Sequence, residues 1–313
     1  MRTLGAGAVA LALSACVTSV PPQSAPTPRP AGVPSSTPAP SAPATRSAAS
    51  LEMSRYYAKV QADLLRNELM RTDGGGPDTP FGARQLATNF EAIALNDEYT
   101  DVGGHYVART QSSSLHKWNI PVRLGLEFGA SVPEAQRAKD RATLSALSAQ
   151  LGRATGHPIS VSDRPNFHVL VLNEDERRAA APRLTQLIPG LPKAAIRSVV
   201  NMPSSAYCLV IASDPDDDGA YTTAVAVIRG EHPDLMRKSC FHEEIAQGLG
   251  LANDSPRARP SIFNDDEEFA LLTRHDELLL RILYDDRLKA GMQPDTARVI
   301  ATQIARELMG ESS

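Results

Sequence analysis

The sequence predicts one α+β domain: a twisted mixed sheet with a backing helix, a second long helix that closes the sheet region, and C-terminal helices. Three observations carry this. Short apolar strands alternate with helices of period 3.6 from about residue 118 to residue 247. Two of the strands, near residues 210 and 225, lie close enough for a hairpin, whereas the earlier ones are separated by helical segments. Before about residue 50 the chain holds almost no large apolar side chain, so the core belongs to the roughly 260 residues that follow, enough for one large core or two modest ones.

The N-terminal stretch has its own logic. Met1-Arg2-Thr3 is a short positive region. The small and apolar residues after it form too short a run to span a bilayer, and Leu13-Ser14-Ala15-Cys16 has the form of a lipobox. Residues 1–15 are therefore expected to be a lipoprotein signal peptide, and Cys16 the acylated first residue of the product, anchoring the chain to the membrane. An ordinary cleaved signal with an incidental cysteine is the alternative. Residues 16–50, rich in Pro, Ser, Ala and Thr, cannot bury enough surface to offset ordering entropy and are expected to be an extended, disordered tether. The domain is expected to face the periplasm. Val17 takes the place of the Asp that retains many lipoproteins at the inner membrane, so the outer membrane is favoured.

Charge narrows the partners. The chain has 36 acidic and 32 basic residues, a net charge of −4, and no basic cluster, which argues against nucleic acid. No later apolar run approaches the length of a membrane span. Apart from Cys16 the cysteines are Cys208 and Cys240, and in an exported domain two cysteines pair most readily as a disulfide. The rival is a reactive Cys240 beside His242. Positions i and i+2 on a helix point about 200° apart, which separates those two side chains.

The elements follow in order. Leu51 to Arg71 carries a partial helical stripe at Leu64, Leu65 and Leu69, and Asp73 to Pro80 breaks it with three glycines and two prolines. Phe81 to Leu95 reads as a helix through Leu86, Phe90, Ile93 and Ala94. Residues 96–114 read as polar and irregular. Trp118 to Phe128 alternates after Pro121 and reads as a strand whose start lies at an edge or end. Val132 to Thr155 is an amphipathic helix stopped by Gly156. Ile159–Val161 and Phe167–Leu172 are strands. Glu174 to Leu187 and Lys193 to Val200 are helical insertions. Ala206 to Ala212 and Tyr221 to Ile228 form the hairpin, and Pro233 opens the next helix. A final helix is expected from Pro294 to Met309.

That next helix is the informative one. It ends Cys240-Phe-His-Glu-Glu-Ile-Ala-Gln-Gly-Leu-Gly-Leu-Ala-Asn-Asp254. A metzincin helix reads His-Glu-x-x-His-x-x-Gly-x-x-His, with His or Asp as third zinc ligand. Laid over this stretch, the frame puts Glu243 and Gln247 at the two helical ligands, Glu244 at the general base, Gly250 on the Gly, and Asn253 or Asp254 at the third ligand. The stretch thus resembles a zincin helix stripped of its zinc ligands. Ser261-Ile-Phe-Asn264 stands where matrixins place a Met-turn, and Leu272 to Tyr284 resembles their C-terminal helix. Together with Pro-Ser-Ile-Phe-Asn-Asp-Asp and Leu-Tyr-Asp-Asp-Arg-Leu-Lys-Ala-Gly-Met292, the helix also resembles a bacterial family known as domain of unknown function 2927, itself similar to zincins with an altered metal site. The resemblance spans about residues 80–292 and implies a zincin-like, metzincin-type fold with no known activity. On this reading residues 51–79 are an N-terminal helix and a Gly/Pro linker, and residues 80–313 the zincin-like domain.

Chemistry then divides the functional readings. Gln is a poor zinc ligand. A carboxylate, an amide and an Asn or Asp make an oxygen site, so a divalent cation of the calcium or magnesium type is the only cofactor the set suggests. Without a Lewis acid Glu244 has no activated water to deprotonate. Three readings stand: a structural hydrogen-bond network, with Arg257, Arg259 or Arg274 as candidate partners; a cleft that binds a peptide, glycan or protein at the envelope without cutting it; and a divergent hydrolase using Glu244. Shifting the frame by one, to His242-Glu243, finds no second His and loses the Gly match. Asp214 to Gly219 opens like a calcium loop but has Val225 where the bidentate Glu is needed, and reads as a hairpin turn. Asn264 to Glu268 reads as a solvated acidic turn, with a weak calcium site as its rival.

The anchor is directly testable. Cells fed labelled palmitate should incorporate it into this chain, and Cys16→Ser should abolish the label; a labelled Cys16→Ser chain would remove the anchor from the reading.

Overall fold

The computed structural model describes residues 45–101, 106–264 and 266–311. The expected signal peptide, Cys16 and the tether through residue 44 lie outside the described residues. Among those described, no helix is long and apolar enough to cross a membrane.

The chain is a mixed α/β fold around one open five-stranded sheet. Its strands are β3 (Val122–Phe128), β4 (Ile159–Val161), β5 (Phe167–Leu172), β6 (Cys208–Ser213) and β7 (Thr223–Arg229). They lie in the order β4-β3-β5-β7-β6, parallel except for β6, which runs antiparallel beside β7. Period-two alternation sends the two faces of each strand to different partners. Phe167, Val169 and Val171 of β5 and Ala224, Ala226 and Ile228 of β7 join the main core. The main core includes α3 (Glu134–Thr155), α7 (Asp234–Gln247), α8 (Arg274–Leu283) and α9 (Pro294–Leu308). Leu144, Leu147 and Leu151 of α3 are fully buried there and stabilise the fold by about 1.5–3 kcal/mol each. On the opposite face Leu170, Val225 and Val227 pack against Leu184 and Val199. Those two come from α5 (Ala181–Leu187) and α6 (Lys193–Val200), so the helical insertions cover the second face of the sheet.

Two sequence expectations need correction. Residues 96–114 are not irregular: β1 (Asn96–Asp101) and β2 (Tyr106–Ser112) pair antiparallel as a separate ribbon. Such a ribbon is held by backbone hydrogen bonds and needs no apolar face, so its polar sequence gave no alternation to read. The insertion read as one helix from Glu174 is two, α4 (Glu174–Arg178) and α5. Pro182 falls in the first turn of α5, where its missing N–H costs nothing, whereas a helix continued from α4 would have lost a hydrogen bond there.

The segment before the family-like region is part of the same compact unit, Pro43–Ser313. It forms α1 (Ala48–Arg66), which starts at Ser47, whose hydroxyl accepts the Ser50 N–H. Tyr57 of α1 is fully buried against Met70, Met236 and Ala270. The Ser50 hydroxyl donates to the buried Glu231 carboxylate at 2.6 Å, and Glu231 also accepts the Glu174 N–H at 2.7 Å. The second helix, α2 (Ala83–Ala94), packs on α9 and α8 through Leu86, Phe90 and Ile93.

Cys208 at the start of β6 and Cys240 in α7 form the expected disulfide, which closes a separation of 32 residues. A loop of that size restrains the unfolded chain, so replacing both cysteines with Ala should lower the unfolding free energy by about 3–4 kcal/mol. Urea denaturation monitored by circular dichroism reads this, and an unchanged midpoint would show that the bridge does not stabilise the fold.

Candidate functional site

The site is built on α7. Pro233, with φ −58° and ψ 162°, sets the chain direction into the helix, and Asp234 in the first turn complements its N-terminal dipole. Arg237 ties the helix to α3 through Asp140 at 2.7 Å and also takes the His232 carbonyl at 2.6 Å, both within a buried setting. Burial pushes the Asp140 carboxyl up, an effect larger than the opposing pull of Arg237.

The C-terminal end of α7 is fixed just as firmly. The last carbonyls of α7, Glu244 to Gln247, accept backbone N–H groups of the turn that follows, and the carbonyls of that turn are met by side chains. The Trp118 indole donates to the Gly248 carbonyl at 2.8 Å, and the Tyr284 hydroxyl to the Leu249 carbonyl at 2.9 Å. At Gly250 φ is +122°, and a Cβ there would lie 2.2 Å from the His116 carbonyl oxygen, so only glycine fits. A Cβ at Gly248 would lie 2.5 Å from the Phe167 ring.

The predicted site residues lie on α7 and the turn after it, and Glu243 and Glu244 come together there. Glu244 is 3 % exposed and Glu243 is half-buried. One oxygen of each lies within 4.8 Å of the Cys208 sulfur, and among the described residues this is the one triple of His, Cys, Asp or Glu so close. The Cys208 sulfur is bonded to Cys240, which leaves two carboxylates. The Gln247 amide donates to Asp254 at 3.1 Å, and the Asn253 amide donates to the Ala92 carbonyl at 2.7 Å while its backbone N–H reaches Ile93. Both amides therefore spend their N–H groups inside the protein, Asn253 fastening the loop after α7 to the end of α2. Catalytic zinc is held by three protein ligands of which at least two are imidazole or thiolate, and here two carboxylates stand with no imidazole or free thiolate, so the residues do not fit zinc.

Three buried histidines have partners within the fold. His242 is buried, and its Nδ1 accepts the Leu272 N–H at 3.3 Å on the way into α8. Burial drives its pKa down to about 3, so it is neutral under ordinary conditions. His232 lies with Nδ1 3.7 Å from the Cys240 sulfur, between the rings of Tyr57 and Tyr207. Burial holds its pKa well below the ordinary histidine value, and Arg229 and Arg237 push the same way. His275 is fully buried in α8 and bonded to Asn89 at 3.1 Å.

Below the helix, Ser261–Asn264 is held by one carboxylate. Asp276 accepts the Ser261 hydroxyl at 2.6 Å, the Ile262 N–H at 3.1 Å and the Thr273 N–H and hydroxyl, each at 2.9 Å. It also completes the capping box of α8 with Thr273. Of the arginines expected near the site, Arg259 pairs instead with Glu268 at 2.6 Å. Asp214 accepts the N–H groups of Asp218 and Gly219, so the calcium-like stretch is the β6–β7 turn. Sequence reasoning missed that Cys208 sits against Glu243 and Glu244. Its 32-residue separation from Cys240 gives no linear signal of that contact.

Residues 83–303 match a family described as "Protein of unknown function (DUF2927)". No curated protein and no solved structure matches the chain.

The buried histidine sets a pH window. His242 is depressed from 6.5 to about 3, so its folded form resists protonation while the unfolded form does not. Its contribution is complete above pH 6.5 and is lost as pH falls from 6.5 towards 3, at up to about 1.4 kcal/mol per pH unit. Denaturant titrations at pH 7.5 and 4.5 should show that loss. His242→Asn, which keeps an acceptor near Nδ1 and removes the titration, should flatten the pH dependence; an equally steep Asn variant would refute the assignment.

Proposed function

The chain belongs to this family of unknown function, and from that premise we propose that it is an envelope lipoprotein with a zincin-like domain that binds an extended peptide segment of a partner without cutting it. The zincin-like reading is supported by the order strand, backing helix, strands, site helix, and by the Gly250 turn and the Asp276-held Ser261–Asn264 segment that follow.

The observation that carries the binding reading is β6. It is an edge strand, and no described strand pairs with its outer side. An open edge is a template for an added strand. Leu209, Val210 and Ile211 are partly exposed along it, and the disulfide staples its first residue to α7. Acidic groups stand at both ends: Glu243 and Glu244 beside Cys208, and the Asp214–Asp218 turn after Ser213. An extended segment with basic side chains fits that charge. Non-cleavage follows from the donor set around Glu244, which lacks zinc ligands.

The test is a titration of the purified protein with an alternating Lys-Val peptide and its Glu-Val counterpart, read by fluorescence anisotropy and by mass spectrometry of the peptide. The basic peptide should bind, remain intact, and weaken by roughly tenfold on Glu243→Gln plus Glu244→Gln. Equal binding of both peptides would sink the charge argument. Peptide cleavage that disappears in Glu244→Gln would favour the hydrolase instead.

A further inference from the structure

A concavity away from β6 has the opposite charge. Gly82 and one face of α2 line a cavity of about 540 Å³ whose other wall is the segment after the Asn253 loop. The side chains it presents include Arg84, Gln85, Thr88 and Asn89 from α2 and Ser255 and Arg257 from the loop. Positions 84, 85, 88 and 89 share a face by helical spacing. The two walls are held in register by the Asn253 bonds to Ala92 and Ile93. Asn89, on the buried side, is fixed by His275.

Two guanidinium groups stand on the two walls of this cavity. Several other surface arginines are held by carboxylates, among them Arg71 with Asp73, Asp78 and Glu268, Arg259 with Glu268, and Arg298 with Glu91 and Asp295. Among the described residues no carboxylate is within ion-pairing distance of Arg84 or Arg257, and none lines the cavity. Acids outnumber bases in this protein, 36 to 32, so counter-charges are not scarce. Two like charges around one concavity repel until an anion enters, and a guanidinium fork matches the two oxygens of a carboxylate or phosphate. The chain itself shows the rim can take such a group: the Glu311 carboxylate accepts the Ala83 N–H at 3.4 Å beside Gly82. The volume falls in the range of small-molecule sites.

The geometry points to a binding site for the oxyanion group of a small ligand or chain end, a carboxylate or a phosphate, held by Arg84 and Arg257 with the Thr88 and Ser255 hydroxyls as neutral donors. It is independent of the peptide site at β6, which uses carboxylates on another element.

The experiment titrates the full protein with inorganic phosphate, with acetyl-Ala-Ala bearing a free carboxylate, and with the same dipeptide as its amide, read by isothermal calorimetry. Saturable binding of phosphate or of the free acid, with the amide bound roughly tenfold more weakly or not at all, is the expected result. Which of the two anions binds more tightly separates a phosphate from a carboxylate source. Arg84→Gln and Arg257→Gln should each weaken that binding by roughly tenfold and leave the thermal midpoint unchanged, because both side chains are exposed. Glu243→Gln should leave it unchanged. Binding that is equal for acid and amide, survives both arginine substitutions, or is absent for every probe would overturn the site.

Discussion

The rest of the structure hangs on two carbonyl groups in the turn that follows α7, those of Gly248 and Leu249. Trp118 and Tyr284 satisfy them from two directions, the lead-in to β3 and the end of α8. Each of those side chains is itself held. The Lys117 ammonium, next to Trp118, donates to the Leu283 and Leu288 carbonyls at 2.9 and 3.0 Å and lies 5.2 Å from the Tyr284 ring centroid. Burial draws the Lys117 pKa down to about 8, and Asp285 and Asp286 counter it only in part. The same burial pushes the Tyr284 hydroxyl up, keeping it a donor. One knot of polar groups thus joins sheet, site helix and C-terminal helix, and a buried carbonyl left open in it would cost about 1–3 kcal/mol.

Asp276 is the second fastening, and it works by the same logic. Four donors from two segments reach one fully buried carboxylate, so the turn under α7 and the start of α8 can only form together. A carboxylate so provided with donors tolerates burial that an isolated charge would not. The Arg229–Glu174–Arg177 cluster repeats the pattern on the far side of the sheet, where Glu174 accepts from both guanidinium groups at 2.8 and 2.9 Å.

What could be read from the sequence follows from how locally each feature is determined. The strands β3, β5 and β7 and the helices α2 and α3 announced themselves by their apolar patterning, whereas α7 was read from Pro233 and the metzincin frame. The disulfide followed from compartment and count. The β1–β2 ribbon was invisible because its pairing makes no demand on apolar side chains. At the site, the frame singled out Glu243, Glu244, Gln247, Asn253 and Asp254; Glu243 and Glu244 lie together by Cys208, and Gln247 donates to Asp254. The frame did not reveal what each amide would do: Gln247 is spent on Asp254, and Asn253 on a carbonyl of α2, 161 positions away. The cavity at Arg84 and Arg257 was equally hidden, since its walls meet through long-range bonds such as those of Asn253 to Ala92 and of Gln85 to Arg259.

These constraints separate the positions that fix the turn after α7 from the positions that add to it. Gly248 and Gly250 cannot change, because a Cβ would strike Phe167 or the His116 carbonyl. Trp118, Tyr284 and Asp276 cannot change without stranding buried polar groups. Gln247 and Asn253 need only an amide N–H for an acceptor already there. The turn is therefore fixed by its glycines, while the two amides add bonds of their own to the scaffold. Placing histidines at positions 247 and 253 would have to break the Gln247–Asp254 and Asn253–Ala92 contacts before a metal could gain anything.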